Sequence, residues 1–281
     1  MLRALALLPL SLLYGVLGAL AFLARLSGWR RKLVLEGLAR CLPGASEPER
    51  RSIASGFYRY LGELAAEAVH GARIDADELA ARLRFENPEA VEEILGGGKR
   101  VLLLAAHHCN WEWLLLRCST AFGAPLVAAY KPASREGADR ALTAMRSRLG
   151  ATMVPAKNVV QHLLERRGGV RLLALVADQS PAAGSDQQSW LPFFGRETAF
   201  FKGPGWIAAR MGFQPFFIAM RRERRGHYVA RFVPLLADGE RADPDRILAA
   251  YVSAVEAQVR EYPAEYFWAY NRWKRSRRLY D

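Results

Sequence analysis

From Arg100 onward, short apolar runs alternate with stretches of helical period. The runs at 101–106, 125–130, 151–154 and 171–177 have the length of buried strands, and amphipathic stretches at 110–120, 137–149 and 158–167 lie between them. Such alternation predicts βαβ units built around a mainly parallel sheet. Beyond them the pattern predicts a helix at 204–211, strands near 214–220 and 228–233, and a long helix at 243–262. The expected fold class is α/β, a mainly parallel mixed sheet flanked by helices.

Upstream the period is helical throughout. A basic amphipathic stretch at 29–42 stops at Pro43-Gly44, and Ser46-Glu47-Pro48-Glu49 opens a helix running to His70 with a serine cap and an acidic first turn. Residues 75–83 read as a short helix. Asn87-Pro88 is expected to cap another through Leu95, ended by Gly96-Gly97-Gly98.

The first segment differs from all of these. Residues 4–24 carry no charge, while Arg3, Arg25, Arg30, Arg31 and Lys32 flank them. About 20 apolar residues in a helix span the ~30 Å hydrocarbon core of a bilayer. No small-residue cleavage site precedes Arg25, which speaks against a signal peptide. A spanning anchor, a helix lying in the membrane face and a buried helix remain open. The basic C-terminal flank places the body on the cytoplasmic side. The expected division is a membrane anchor at 1–28, a helical preface at 29–98 and an α/β body at 99–281, with 29–281 one cooperative unit.

Composition narrows the partners. The chain has 281 residues, 51% of them hydrophobic, enough for a substantial core. Its 40 Lys+Arg against 28 Asp+Glu give a formal charge of +12, which favours phospholipid headgroups, phosphorylated glycolipids, nucleic acid or an acidic carrier protein. Two basic clusters, Arg221-Arg222 with Arg224-Arg225 and Lys274-Arg275 with Arg277-Arg278, are candidate contacts for such groups. Nucleic acid drops out because no binding motif accompanies the charge and a hydrophobic segment does. Cys41, Cys109 and Cys118 show no CxxC spacing and read as reduced thiols facing the cytosol.

Candidate chemistry concentrates in Ala106-His107-His108-Cys109-Asn110-Trp111-Glu112. Ligands of open α/β sheets collect at the carboxyl ends of the strands, where the 101–106 run delivers both histidines. Asn110 is a plausible N-cap, which puts Trp111 and Glu112 in a first helical turn. Glu112 there either complements the helix dipole or orients an imidazole that takes a proton. His107 lies five residues from Glu112 and His108 four, so spacing alone leaves both pairings open. Three consecutive metal ligands converge poorly and no second Cys/His cluster exists, so no metal is expected. A His–acid pair without a protein nucleophile would activate a hydroxyl of the substrate.

This string resembles the H-x4-[DE] motif of the bacterial late acyltransferases of lipid A biosynthesis, the lauroyl/myristoyl acyltransferases of the lysophospholipid acyltransferase superfamily. There the motif often reads H-x-G-N-W-E, so Cys109 stands at the glycine position. Further blocks resemble the family in order: Tyr130-Lys131-Pro132, Arg146-Ser147-Arg148-Leu149-Gly150, Asp178-Gln179, Pro192-Phe193-Phe194-Gly195, and Trp268 with Arg272-Trp273-Lys274. Lys131, Glu197, Tyr270 and Asn271 depart from its usual residues.

The resemblance implies that His107 and Glu112 are the catalytic pair and His108 a variable lining residue. It implies transfer of a fatty acyl group from an acyl thioester, with acyl carrier protein the expected donor, to a hydroxyl of a lipid A precursor. The setting is the cytoplasmic side of the bacterial inner membrane, with no cofactor. Asn110, Lys131, Arg146, Arg148, Asp178 and Gln179 become candidates for substrate binding or for holding the oxyanion, Asp178 alternatively positioning an arginine. Trp111, Phe193 and Phe194 become candidates for an acyl channel. Competing readings are another glycolipid, an aminolipid or a lysophospholipid as acceptor, a catalytically silent lipid-binding protein, and a soluble metallohydrolase.

Overall fold

A computed structural model of the chain describes residues 5–166, 169–181, 187–237 and 239–274. Helices α1 (Leu10–Leu26), α2 (Arg31–Cys41), α3 (Glu47–His70) and α4 (Ala76–Arg82) come first, then β1 (Leu83–Phe85), α5 (Glu89–Gly96) and β2 (Arg100–Ala105). Alternation continues through α6 (Trp111–Ala121), β3 (Leu126–Tyr130), α7 (Glu136–Arg146), β4 (Thr152–Pro155), α8 (Val159–Glu165) and β5 (Leu172–Val176). A hairpin of β6 (Gln188–Phe193) and β7 (Arg196–Phe201) leads to α9 (Gly203–Met211), the pair β8 (Phe213–Arg224) and β9 (His227–Pro234), and α10 (Pro244–Glu261).

The main sheet has seven strands in the order β1-β9-β8-β2-β5-β3-β4. Every neighbouring pair is parallel except β8 and β9, which form an antiparallel hairpin. The chain thus has the expected α/β fold with a mostly parallel mixed sheet. Strand side chains alternate between faces, and β2 divides its residues accordingly. Leu102 and Leu104 pack with Val34, Leu38, Phe57 and the apolar face of α10. Val101 and Leu103 pack with Tyr60, Leu64 and Trp113. Residues of 29–98 therefore sit in the core on both sides of the sheet.

Several local expectations change. Residues 83–85, expected to end a helix or follow it, form β1 beside β9. Asn87 does not cap α5. Pro88 takes that place, and the Asn87 amide donates to Phe232 O (2.9 Å) and accepts from Phe232 N (2.8 Å), extending the sheet edge by side chain. The β6–β7 hairpin has no counterpart in the hydrophobic pattern. The opening of α3 is as expected: Ser46 caps it, with Glu49 closing the reciprocal pair.

The described part of the uncharged run, residues 5–24, does not form one spanning helix. Pro9 stands at the start of α1, whose 17 residues measure about 26 Å, short of a ~30 Å core. Among the described residues no single helix is long and apolar enough to cross a membrane; only α1 and α2 together reach that length and composition, and they are bent by 84°. One face of α1 packs on α3, where a Cβ on Gly62 would meet Leu17 O at 2.8 Å and the Ala21 Cβ at 2.9 Å. On the other face Leu12, Val16, Leu20, Leu23 and Leu26 are exposed.

Candidate active site

Strand β2 lies at the middle of the sheet between β8 and β5, and its carboxyl end releases the loop carrying His107. The parallel register pairs Ala105 with Val176. Two residues further along each chain are His107 and Asp178, so sheet register alone brings them together. The Tyr251 hydroxyl fastens both ends, donating to Ala105 O (2.8 Å) and accepting from Ala177 N (3.3 Å).

Asp178 Oδ1 lies 2.6 Å from His107 Nδ1 and also accepts the His107 backbone N–H at 3.1 Å. Burial alone would raise the Asp178 carboxyl. The His107 imidazole and its two hydrogen bonds, helped by Arg272, outweigh burial and hold it below the ordinary aspartate range. An ionised carboxylate can only accept, so Nδ1 carries the proton and Nε2 is the basic atom of the neutral ring. That nitrogen faces the Gln179 amide at 3.3 Å. The Trp111 ring meets the imidazole edge to face at 5.1 Å.

Glu112 is placed differently from the expectation that it holds the imidazole. It is buried in the first turn of α6, where Arg146 grips it with two bonds, Nε to Oε2 at 2.8 Å and a terminal nitrogen to Oε1 at 2.5 Å. The Trp111 indole N–H adds a third at 3.2 Å. The acid partner of His107 is Asp178. Sheet register explains the exchange, since Asp178 grows from the adjacent strand while Glu112 turns away with the helix.

The rest of the loop is clamped. Phe267 N donates to His107 O (3.0 Å) and Cys109 N to Glu265 O (3.1 Å), while His108 forms an isolated bridge with Tyr266. His108 is buried, its Nε2 2.9 Å from Tyr262 O, and burial pushes its pKa down to about 4. Cys109 has φ +50°, a left-handed conformation that a side chain rarely adopts, which accounts for glycine at the matching place in the resembled motif. Its thiol is buried and pushed well up by that burial.

Asn110 caps α6 as expected, accepting Trp113 N at 2.9 Å. Its other end donates to Glu67 at 2.6 Å, so this fully buried amide is committed inside the protein rather than facing a substrate. Arg148 points away, its Nε 3.4 Å from Gly71 O at the end of α3. Lys131 is exposed just past β3. Phe193 and Phe194 are core residues rather than channel lining: Phe193 packs on Phe194, Phe200 and Trp273. Arg272 is buried over Phe200 at 4.1 Å and donates to Ala199 O and Ser180 Oγ, bracing the loop after Asp178. Of the second basic cluster, Arg275, Arg277 and Arg278 lie outside the described residues.

Two further residues belong to this assembly without any local sign in the sequence: Glu67 and Tyr251. Their partners lie 43 and 146 positions away along the chain, so no short pattern announces them. Among the described residues no group of three His, Cys, Asp or Glu side chains could hold a metal ion.

A mostly parallel sheet presents a histidine backed by an aspartate, with no serine or cysteine bonded to its Nε2 among the described residues, an arrangement suited to general-base chemistry on a substrate hydroxyl. The chain matches the bacterial lipid A biosynthesis acyltransferase family over residues 1–275 and belongs to that family. It is an acyltransferase of lipid A biosynthesis. No curated protein matched the chain.

Proposed function

We propose that this protein transfers a fatty acyl chain from an acyl thioester, carried by acyl carrier protein, to a hydroxyl of a lipid A precursor at the cytoplasmic face of the inner membrane. The observation that carries the reading is the His107–Asp178 contact, which leaves Nε2 as the base. His107 takes the acceptor proton as the hydroxyl oxygen attacks the thioester carbonyl. The tetrahedral oxyanion collapses, the C–S bond breaks, and Nε2–H returns the proton to the leaving thiolate. The products are an ester and a free thiol, and no cofactor enters the balance. Asp178 holds the ring and offsets its positive charge.

Gln179 stands beside Nε2, close enough to contact the reacting atoms. Arg146 is the candidate donor for the oxyanion or for an anionic substrate group, and Glu112 fixes its direction. A general base contributes about 10²–10⁴ in rate.

Membrane attachment is part of the same reading. The exposed leucine and valine stripe of α1 would lie in the headgroup–acyl boundary, with Arg25, Arg30, Arg31 and Lys32 at the phosphates.

The test is mass spectrometry of the lipid A made by cells carrying this protein or its His107→Ala variant. One added acyl chain with the wild type, absent with the variant, is expected. An added chain with His107→Ala would overturn the assignment of the base.

A further inference from the structure

Glu67 is an acid buried in the middle of the molecule that the chemistry above does not use. It is fully buried on α3, and burial raises its carboxyl above the ordinary range despite three donors. Tyr14 of α1 donates to Oε1 at 2.8 Å. Tyr228 of β9 and the Asn110 amide both donate to Oε2, each at 2.6 Å. The backbone carbonyl of the same residue accepts the Trp113 indole N–H at 2.8 Å.

Both Asn110 and Trp113 belong to the start of α6. Asn110 spends its oxygen on the helix cap and its nitrogen on Glu67, and it follows His107 by three residues. The chain of contacts therefore runs without a gap from α1 through one carboxyl group to the loop that carries the base. Space has been kept for it: a Cβ on Gly226, at φ +71°, would lie 2.6 Å from the Tyr14 hydroxyl. The Arg225 guanidinium covers the Tyr14 ring at 4.8 Å.

We infer that α1 is more than an attachment device, and that Tyr14 and Glu67 are positioning residues which hold the Asn110 cap, and through it the His107 loop, in working geometry only while α1 is seated on α3. This rests on the proposed role of His107, whereas the coupling itself can be read without any substrate.

The experiment uses the full chain in detergent micelles and compares wild type, Tyr14→Phe, Glu67→Gln and Leu20→Gln. Hydrogen exchange of the 107–116 segment reads the coupling, and steady-state acyl transfer reads its consequence. Tyr14→Phe is expected to speed exchange in 107–116 while leaving the strand peptides around 172–176 unchanged. It should lower kcat about tenfold with KM for donor and acceptor unchanged, the upper end of the range for losing one hydrogen bond. Glu67→Gln should do the same more strongly, up to about 10²-fold, the range for an ångström-scale misplacement.

Leu20→Gln alters only the exposed face of α1, so it should leave exchange in 107–116 at the wild-type rate. Wild-type exchange and kcat in Tyr14→Phe would overturn the proposal, as would equal loosening by Leu20→Gln. If Glu67→Gln fails to fold, Tyr14→Phe still decides. Failure of the wild type to transfer acyl groups would count against the proposed function, and the exchange data would stand apart from it.

Discussion

His107 and His108 are adjacent in sequence and occupy opposite situations. His107 is partly exposed, its Nδ1 on an ionised aspartate and its Nε2 beside a side-chain amide. His108 points into the protein, bonded to a backbone carbonyl and too deeply buried to hold a proton near neutral pH. The same side chain is paired with a carboxylate in one place and is a neutral packing group in the other. Exposure and the presence of a carboxylate decide which. The two carboxylates show a parallel contrast: Asp178 pairs with an imidazole, whereas Glu112 is saturated by a permanent cation.

Breaking the Asp178 side of this contrast should have the largest effect. Asp178→Asn keeps the shape but can present its amide N–H to Nδ1, favouring the tautomer with the proton on Nε2, where the base is needed. A fall in kcat of about 10²–10⁴ is expected. A wild-type rate would show that Asp178 is not the partner that matters. Steady-state acyl transfer on protein of unchanged melting temperature measures it.

Glu112→Gln should act on stability first. Removing one partner of a buried ion pair costs about 3–5 kcal/mol because the other charge is left uncompensated. With Arg146 still partly exposed, the lower end is expected, visible as a lower Tm. Any remaining loss of kcat should be smaller than in Asp178→Asn. The reverse order of kcat losses would return the role of imidazole partner to Glu112.

The smallest effect on rate is expected for His108→Gln, which can still donate to Tyr262 O. Its signature lies in the pH dependence of stability. Unfolded, this imidazole binds a proton near pH 6.5; folded, it does not until about pH 4. Across that window the unfolded chain holds more protons, so stability is full above pH 6.5 and is lost as pH falls toward 4. The loss reaches about 3 kcal/mol, a tenfold difference in proton affinity being worth about 1.4 kcal/mol. Wild type should therefore lose more Tm than His108→Gln between pH 7 and pH 5, and equal losses would refute the assignment. The α1–Glu67 coupling extends the comparison to the helix that seats the whole loop.

Much of the fold is legible because it is written locally. The period-3.6 stretches and short apolar runs carry the βα alternation, Ser46 and Glu49 announce the start of α3, and Asn110 announces that of α6. Residues 83–85 and the β6–β7 hairpin are not legible, since a three-residue strand and a hairpin outside the main sheet carry too little period to stand out. Pro9 is visible, yet only the packed structure shows α1 cut short and laid against Gly62.

The order of residues suffices for the α/β class, the family and the histidine that could act, because these rest on local period and on an ordered set of short motifs. Which acid serves that histidine is a matter of three dimensions. His107 and Asp178 lie 71 positions apart, and it is the register of two parallel strands that joins them. Glu112, only five positions away, is carried off by a helical turn and taken by Arg146. The same holds for Glu67, whose partners come from α1, α6 and β9. A buried carboxyl must find its donors wherever the fold brings them, because water cannot reach it there.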